Sequence, residues 1–303
     1  MIKIDSITKT FDTVKSLDNV SLLVENGSIF GLIGSNGSGK STLLRIMCGV
    51  YRPDNGDIFF DGVPVWENAE VKKRMVYLSD DQYFITGSTP ADMMRMYRSV
   101  YPTFSVEKYK HYMTQFGLDE NRRQSTFSKG MQKQVSFILG LACCTDYLFC
   151  DETLDGLDPV MRQTVRHIIA SEVAERGMTV VFASHNLKEL EDICDHVALL
   201  HRGELLFEAG IDDIKRDIHK IQMGVDKSRA EEIREALKQL DTVSIEQRGS
   251  LFTIVARGTV PQIDNVILGF KPLFVEYIPL TLEEIFIAEM EERGYEFHES
   301  YIG

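Results

Sequence analysis

The sequence has few of the features that define several large classes of protein. Its 303 residues include only 8 prolines and 22 glycines, which excludes collagen-like and low-complexity chains. The five cysteines form no CxxC pair and Cys143 is adjacent to Cys144, so we expect reduced, cytosolic thiols and no disulfide framework or zinc site. The first ten residues are too polar for a signal peptide. The longest apolar run, near residues 137–144, is far shorter than the roughly 18 residues of a spanning helix, so we expect any membrane role to come through a partner.

Basic residues are also in deficit. The 33 lysines and arginines face 46 acidic residues, which gives a net charge of −13 that repels a phosphate backbone. We therefore expect no nucleic acid partner. The composition, 44% apolar and 26% charged, is typical of a globular protein, and the length exceeds that of most single cores, which favours two domains.

The hydrophobic pattern predicts an α/β core. Alternating residues over 1–62 indicate strands, interrupted by a helix from Lys40 to about Cys48. Residues 88–142 lose the strand pattern and predict a helical insertion. Strands and helices then alternate, which implies a parallel sheet. We assign residues 1–215 to this first domain.

A second pattern begins near Ile218. A helix opened by the Ser228 to Glu231 capping box, two strands, another helix and a strand give the order β-α-β-β-α-β, with a final helix over residues 282–292. We therefore predict a ferredoxin-like α+β domain over residues 216–303.

Residues 34–41 match the phosphate-binding loop GxxxxGK[ST], directly after an apolar strand and directly before a helix. In such a loop the backbone amides surround the β-phosphate, Lys40 reaches the β and γ oxygens, and the Ser41 hydroxyl ligates Mg²⁺. The predicted nucleotide-binding residues here are Gly34, Ser35, Asn36, Gly37, Ser38, Gly39, Lys40, Ser41 and Thr42.

Two carboxylates, Asp151 and Glu152, follow the apolar residues 147–150. A strand that ends in this way delivers both groups to the carboxyl edge of a parallel sheet, where ligands bind. One carboxylate can hold Mg²⁺ while the other activates water. An acidic pair at a helix start is the alternative, but the upstream phosphate-binding loop favours catalysis.

Three further segments accompany these motifs: residues 127–132 before an amphipathic helix, residues 152–158 after the carboxylates, and residues 184–186 after the next strand. In this order the chain resembles the ATP-binding subunits of ABC transporters over residues 1 to about 215. The resemblance implies a P-loop NTPase core with an antiparallel β-subdomain and a helical subdomain. It also implies a Mg²⁺-dependent ATPase.

The resemblance assigns roles to single residues. Glu152 matches the general base, with Lys40 and His185 on the γ-phosphate and with Ser41 and Asp151 on Mg²⁺. Phe11 matches the aromatic residue that stacks on adenine, although core packing is the alternative for a strand aromatic. Ser128 and Gly130 match the signature loop that touches the γ-phosphate across a dimer, and Asp158 matches the loop that couples the two sites. For His185 a helix-capping role is the alternative.

The chain departs from the family pattern in two places. The signature has Phe127, Lys129 and Met131 where the family has leucine, glycine and glutamine. The usual glutamine after strand 75–78 is displaced, because Asp80 occupies that position and Gln82 lies two residues further on. Either could sense Mg²⁺ or water, and we include Gln82 among the candidate metal residues.

Partners also follow from the resemblance. Residues 80–101, rich in Tyr, Phe and Met, match the region that receives a helix of an integral membrane permease, although they could equally form the core of the insertion. Residues 279–287 resemble the ending of ABC-2 type exporters, a class that includes multidrug and antibiotic efflux systems. We expect a homodimer or heterodimer of ATPase subunits, peripheral on the cytoplasmic face of the cell membrane. The alternatives are an ABC-type ATPase that acts on the ribosome or chromosome and a metabolic kinase with a P-loop.

Overall fold

The computed structural model describes residues 1–213, 218–226, 229–237 and 239–292. The chain divides into two compact units, Met1–Glu208 and Ala209–Gly303. This division precedes by a few residues the boundary that the hydrophobic pattern indicates at residue 215. Ser228, the first residue of the capping box predicted for the second domain, lies outside the described residues. Within the described ranges, no helix has both the length and the hydrophobicity needed to cross a bilayer.

The first unit contains two sheets and the helices that connect their strands. Its strands are β1 (Ile2–Phe11), β2 (Val14–Val24), β3 (Ile29–Ile33), β4 (Asn55–Phe60), β5 (Val63–Pro64), β6 (Met75–Leu78), β7 (Tyr147–Asp151), β8 (Thr179–Ser184), β9 (His196–His201) and β10 (Glu204–Gly210). Its helices are α1 (Lys40–Met47), α2 (Ala69–Lys72), α3 (Pro90–Val100), α4 (Val106–Gln115), α5 (Lys129–Ala142), α6 (Pro159–Arg176) and α7 (Leu187–Glu191).

The larger sheet has the strand order β10-β9-β3-β8-β7-β6. All described pairings among β9, β3, β8, β7 and β6 are parallel. Every residue of β3, β7 and β8 is buried, as expected for parallel strands covered on both faces. The smaller sheet, β2-β1-β4-β5, is antiparallel. Helix α1 contributes Leu43, Leu44 and Met47 to the core shared by the two sheets.

The helical insertion lies between β6 and β7. Helix α3 begins with a capping box in which Thr89 and Asp92 satisfy each other's backbone amides, and Pro90 supplies the first helical residue. Ser105 and Ser128 cap α4 and α5 with their hydroxyl oxygens. The core with an antiparallel β-subdomain and a helical subdomain is thus confirmed.

The second unit contains β11 (Ile218–Gly224), α8 (Ala230–Leu237), β12 (Asp241–Arg248), β13 (Leu251–Arg257), α9 (Val260–Ile267), β14 (Phe274–Ile278) and α10 (Leu282–Glu292). Its sheet has the order β12-β13-β11-β14 and is antiparallel throughout. This is the ferredoxin-like arrangement that the element order predicts. The unit has its own core, in which Ile221, Phe252 and Ile254 of the sheet pack with Ile233 and Ile263 of the helices.

Candidate functional site

The predicted motifs meet because of the strand order. Strand β8 lies between β3 and β7, with Ile33 in register with Ser184 and Asp151 in register with Ala183. The loop after β3, the carboxylates after β7 and the histidine after β8 therefore leave the same edge of the sheet side by side. This is the edge at which α/β proteins bind ligands.

The loop between β3 and α1 has the geometry of a phosphate cradle. Asn36 and Gly37 form its exposed tip. Gly39 has φ +108°, and a Cβ there would lie 2.7 Å from the Ser16 carbonyl oxygen, so no other residue fits. The Oγ atom of Ser38 is buried and has no hydrogen-bond partner among the described residues, so it is available to an anion. The Thr42 Oγ1 accepts a hydrogen bond from Ser16 Oγ at 2.9 Å.

The Lys40 side chain lies inside this loop and hydrogen-bonds to its backbone. Its Nζ donates to the carbonyl oxygens of Gly34 at 2.7 Å and of Ser35 at 3.1 Å. It also lies 3.8 Å from Oε1 of Glu152. Burial lowers the pKa of Lys40, and the nearby carboxylates, first that of Glu152, oppose this shift. The structure thus places one cation between the predicted phosphate loop and the predicted base.

Ser41 and Asp151 form the second predicted pair. The Ser41 hydroxyl donates to Oδ1 of Asp151 at 2.8 Å, and the Tyr77 hydroxyl donates to Oδ2 of the same carboxylate at 2.7 Å. Asp151 is 2% exposed, so these two bonds hold a buried carboxylate in place. Burial and the bond to Asp151 raise the pKa of Tyr77, which keeps its phenol a donor. A hydroxyl beside a carboxylate is a donor set that suits Mg²⁺.

Glu152 lies in a backbone conformation that is unusual for its type, with φ +51°. Its amide donates to the carbonyl oxygen of Ala183 at 3.0 Å, which ties it to the end of β8. Its Oε2 lies 2.7 Å from Nδ1 of His185. Burial, together with the neighbouring Asp155 carboxyl, raises the pKa of Glu152 to about 7, while His185 and Lys40 oppose the shift. A carboxylate with a pKa near neutrality is a suitable general base.

Phe11, Ser128 and Gly130 occupy other parts of the surface. The Phe11 ring is 40% exposed at the end of β1 and packs edge to face on Tyr51, with centroids 5.4 Å apart, so it is not the core residue of the alternative reading. Ser128 is exposed at the start of α5, where its Oγ accepts from the Met131 amide at 3.2 Å. A Cβ on Gly130 would lie 3.6 Å from the Gly156 carbonyl oxygen, so α5 begins beside the loop that precedes α6. Asp158 caps α6.

The two candidates for the displaced glutamine are both engaged with protein groups. Gln82 Nε2 donates to the carbonyl oxygen of Ser79 at 2.6 Å. Asp80 instead accepts from Lys133 of α5, with 2.9 Å between Oδ1 and Nζ. The assignment of Gln82 to the metal site stays a prediction.

Comparison with known proteins identifies the family. A family model described as ABC transporter matches residues 17–155. The ABC transporter ATP-binding protein YtrB of Bacillus subtilis is 31% identical over 289 residues, which covers 95% of this chain and 98% of that protein. The chain belongs to the ABC transporter ATP-binding proteins. Its membership of this family makes it an ATPase, and the predicted resemblance is confirmed.

Two more similarities concern relatives and fold. The bacitracin transport ATP-binding protein BcrA of Bacillus licheniformis is 29% identical over 219 residues, 71% of this chain and 72% of that protein. A solved ATP-binding cassette, dimeric and in a post-hydrolysis state with ADP and Pi, superimposes with a TM-score of 0.63. It is 20% identical and covers 70% of this chain and 99% of its own, which shows the shared fold.

Sequence reasoning missed three contributors to this ABC ATPase site. Tyr77 holds Asp151, Asp155 approaches both Glu152 and His185, and Lys133 hydrogen-bonds to the loop that carries Glu152. The only signal for Tyr77 is a polar atom on an otherwise apolar strand. Asp155 lies inside a motif segment and Lys133 directly follows one, but their spacing alone does not reveal their contacts.

Proposed function

We propose that this ATPase forms a dimer around ATP and drives a separate membrane permease, for export. The observation that carries the proposal is the meeting of Lys40, Asp151 and Glu152 at one sheet edge, beside a glycine loop that ends in a helix amino terminus. A cation, a hydroxyl-carboxylate pair and a base of near-neutral pKa are the groups that phosphoryl transfer to water requires.

Each residue then has a role in hydrolysis. Lys40 and the loop amides bind the β- and γ-phosphates, and Ser41 and Asp151 would hold Mg²⁺. When bound, this ion neutralises charge on the phosphate oxygens. Water attacks the γ-phosphorus and gives up a proton to Glu152. The bond from the γ-phosphorus to the bridging oxygen breaks, and ADP leaves with that oxygen.

His185 has two proposed partners, Glu152 and the γ-phosphate. Its Nδ1 contacts Glu152, and the ring is 39% exposed. A γ-phosphate at the end of the loop offers the ring a second acceptor, so His185 orients the phosphate while it keeps the base in place. Phe11, exposed beside Tyr51, offers its face to adenine.

The position of the signature residues supports the proposed dimer. Ser128 is exposed at the amino terminus of α5, where the backbone amides favour an anion. In the proposed dimer, Ser128 and Gly130 of a second copy complete the site on the γ-phosphate. Because the chain carries a net charge of −13, copies repel one another until the nucleotide joins them.

A mixing experiment tests the shared site. Lys40→Ala removes the phosphate cation, and Ser128→Arg blocks the signature, so each variant alone should be inactive. A mixed dimer holds one site built from two unaltered halves, so an equal mixture should recover roughly a quarter of the wild-type rate, as two-fold symmetry requires. Absence of any recovery would contradict a site shared between copies.

The permease and the direction of transport are inferred from relatives, from the carboxyl-terminal residues and from one exposed surface. YtrB and BcrA are named as transporter proteins, and residues 279–287 resemble the ending of ABC-2 exporters. Exposed apolar side chains at Tyr83 and Ile85, in the loop after β6, and at Met96, on α3, fit an interface at the cytoplasmic face of the membrane.

Affinity purification from detergent-solubilised membranes of the native host tests this interface. The tagged chain should recover an integral membrane protein, and Tyr83→Asp should abolish the recovery because Tyr83 is 84% exposed on that surface. Val63→Asp, on an exposed apolar residue of β5, serves as the matched control. Recovery of ribosomal or chromosomal proteins instead would favour the alternative function.

A further inference from the structure

Lys133 of α5 connects three separate segments of the first unit. Its Nζ donates to Oδ1 of Asp80 at 2.9 Å, to the carbonyl oxygen of Glu152 at 3.1 Å and to the carbonyl oxygen of Asp155 at 2.8 Å. An ammonium group has three donors, and here each has an acceptor. The side chain is 14% exposed, so these bonds are largely shielded from water.

Two of the three acceptors belong to the loop that carries the base. Glu152 has φ +51°, a conformation that is costly for a residue with a Cβ unless the surroundings hold it. The Ala183 carbonyl binds the Glu152 amide on one side, and Lys133 binds the Glu152 carbonyl on the other. The peptide groups that flank the base are therefore fixed from two directions.

The third acceptor is Asp80, in the loop after β6. Its side chain is 60% exposed, so its ion pair with Lys133 adds little to stability. The pair nevertheless joins that loop to α5 and to the loop of Glu152. Gln82 binds the Ser79 carbonyl within the same loop, which orders the backbone on either side of Asp80.

We propose that Lys133 is a positioning residue for Glu152, and that Asp80 holds the lysine in place at the exposed end of the contact. The proposal rests on the proposed function, because it requires Glu152 to be the general base. Lys133 makes no contact with the phosphate loop through any of these bonds, so it acts on the hydrolytic step and not on ATP binding.

The test compares kcat and KM in single and double variants. Lys133→Met keeps the aliphatic stem and removes all three donors. We expect kcat to fall about tenfold or more and KM for ATP to stay within about twofold of the wild-type value. This pattern is expected when the lost interaction stabilises only the transition state. Asp80→Asn should lower kcat by less. Lys110→Met, on an exposed lysine of α4, is the matched control and should match wild type.

The double variant Lys133→Met with Glu152→Gln separates positioning from a general structural effect. If Lys133 acts through Glu152, the double variant should retain the residual rate of Glu152→Gln within about twofold, because residues that act as a unit are not additive. The proposal would be overturned if Lys133→Met lowered the rate by the same factor in the Glu152→Gln background as in the wild type. It would also be overturned if Lys133→Met alone raised KM and left kcat unchanged.

Two results keep this proposal distinct from the proposed function. A wild-type rate in Glu152→Gln contradicts both, whereas an inactive Glu152→Gln with a wild-type kcat in Lys133→Met contradicts the role of Lys133 alone. Binding of a non-hydrolysable ATP analogue shows whether each variant is folded. If Lys133→Met does not bind it, Lys133→Gln, which keeps an amide donor at similar reach, is measured in its place with the same two criteria.

Discussion

The Nδ1 atom of His185 lies 2.7 Å from Oε2 of Glu152. These residues follow neighbouring parallel strands, and Lys40 lies 3.8 Å from the other oxygen of the same carboxylate. The Glu152 carboxylate, the proposed base, is therefore held between two basic side chains. Even so, its pKa is raised to about 7, because burial and the Asp155 carboxyl outweigh both partners.

The first prediction concerns pH. A general base must be deprotonated, and the pKa of Glu152 is raised to about 7, so kcat/KM for ATP should fall as the pH drops below about 7. The rate is measured from pH 5.5 to 8.5 with Mg²⁺ in excess. ATP affinity, measured over the same range, separates the titration of the nucleotide from that of the enzyme. A rate that stays constant down to pH 5.5 would show that the base has an ordinary carboxyl pKa.

The second prediction concerns the phosphate cation. Lys40→Ala should abolish ATP binding, because the ammonium group lies inside the loop and has no equivalent there. The thermal unfolding temperature of the nucleotide-free protein should change little, since the bonds that are lost are to loop carbonyls and not to the core. Calorimetric titration with ATP and a melting curve check both parts. Retained affinity would contradict the assignment of the loop.

The third prediction concerns Tyr77. Its hydroxyl donates to Asp151, so Tyr77→Phe frees one carboxylate oxygen and leaves the other bonded to Ser41. Loss of a side chain that hydrogen-bonds to a metal ligand weakens metal binding by about 10–100-fold. The Mg²⁺ concentration for half-maximal hydrolysis should rise accordingly. Tyr97→Phe, in the helical insertion, is the matched control, and an unchanged requirement for Mg²⁺ in Tyr77→Phe would remove Asp151 from the proposed metal site.

The fourth prediction concerns the two units. The second unit has its own buried core, so a chain that ends after about Arg216, a residue outside the described ones, should remain a folded ATPase. Its rate per chain and the sharpness of its thermal transition should match those of the whole protein. An insoluble product, or a broad transition, would show that the two units depend on each other for folding.

The phosphate loop and the carboxylates were predictable because their information is local. Residues 34–41 are contiguous, and an apolar strand that ends in Asp151 and Glu152 identifies a sheet edge without knowledge of its neighbours. The Tyr77 contact with Asp151 depends instead on the pairing of β6 with β7, which sequence order does not give. The same holds for Lys133 and Asp80, because their contact requires the packing of α5 against the loop after β6. Sequence motifs thus predicted the groups that are proposed to touch ATP, whereas the side chains that contact those groups could be found only from the fold.

Replacement of Glu152 tests whether this carboxylate is the general base. Glu152→Gln keeps the size of the side chain but removes its basic oxygen, so hydrolysis should fall by roughly the 10²–10⁴-fold credited to general-base catalysis. ATP affinity should stay equal or improve, because Lys40 and the loop remain. With ATP and Mg²⁺, size-exclusion chromatography with light scattering should show a dimer of this variant and mostly monomer for wild type. A wild-type rate in Glu152→Gln, or an inactive variant that stays monomeric with ATP, would contradict the account.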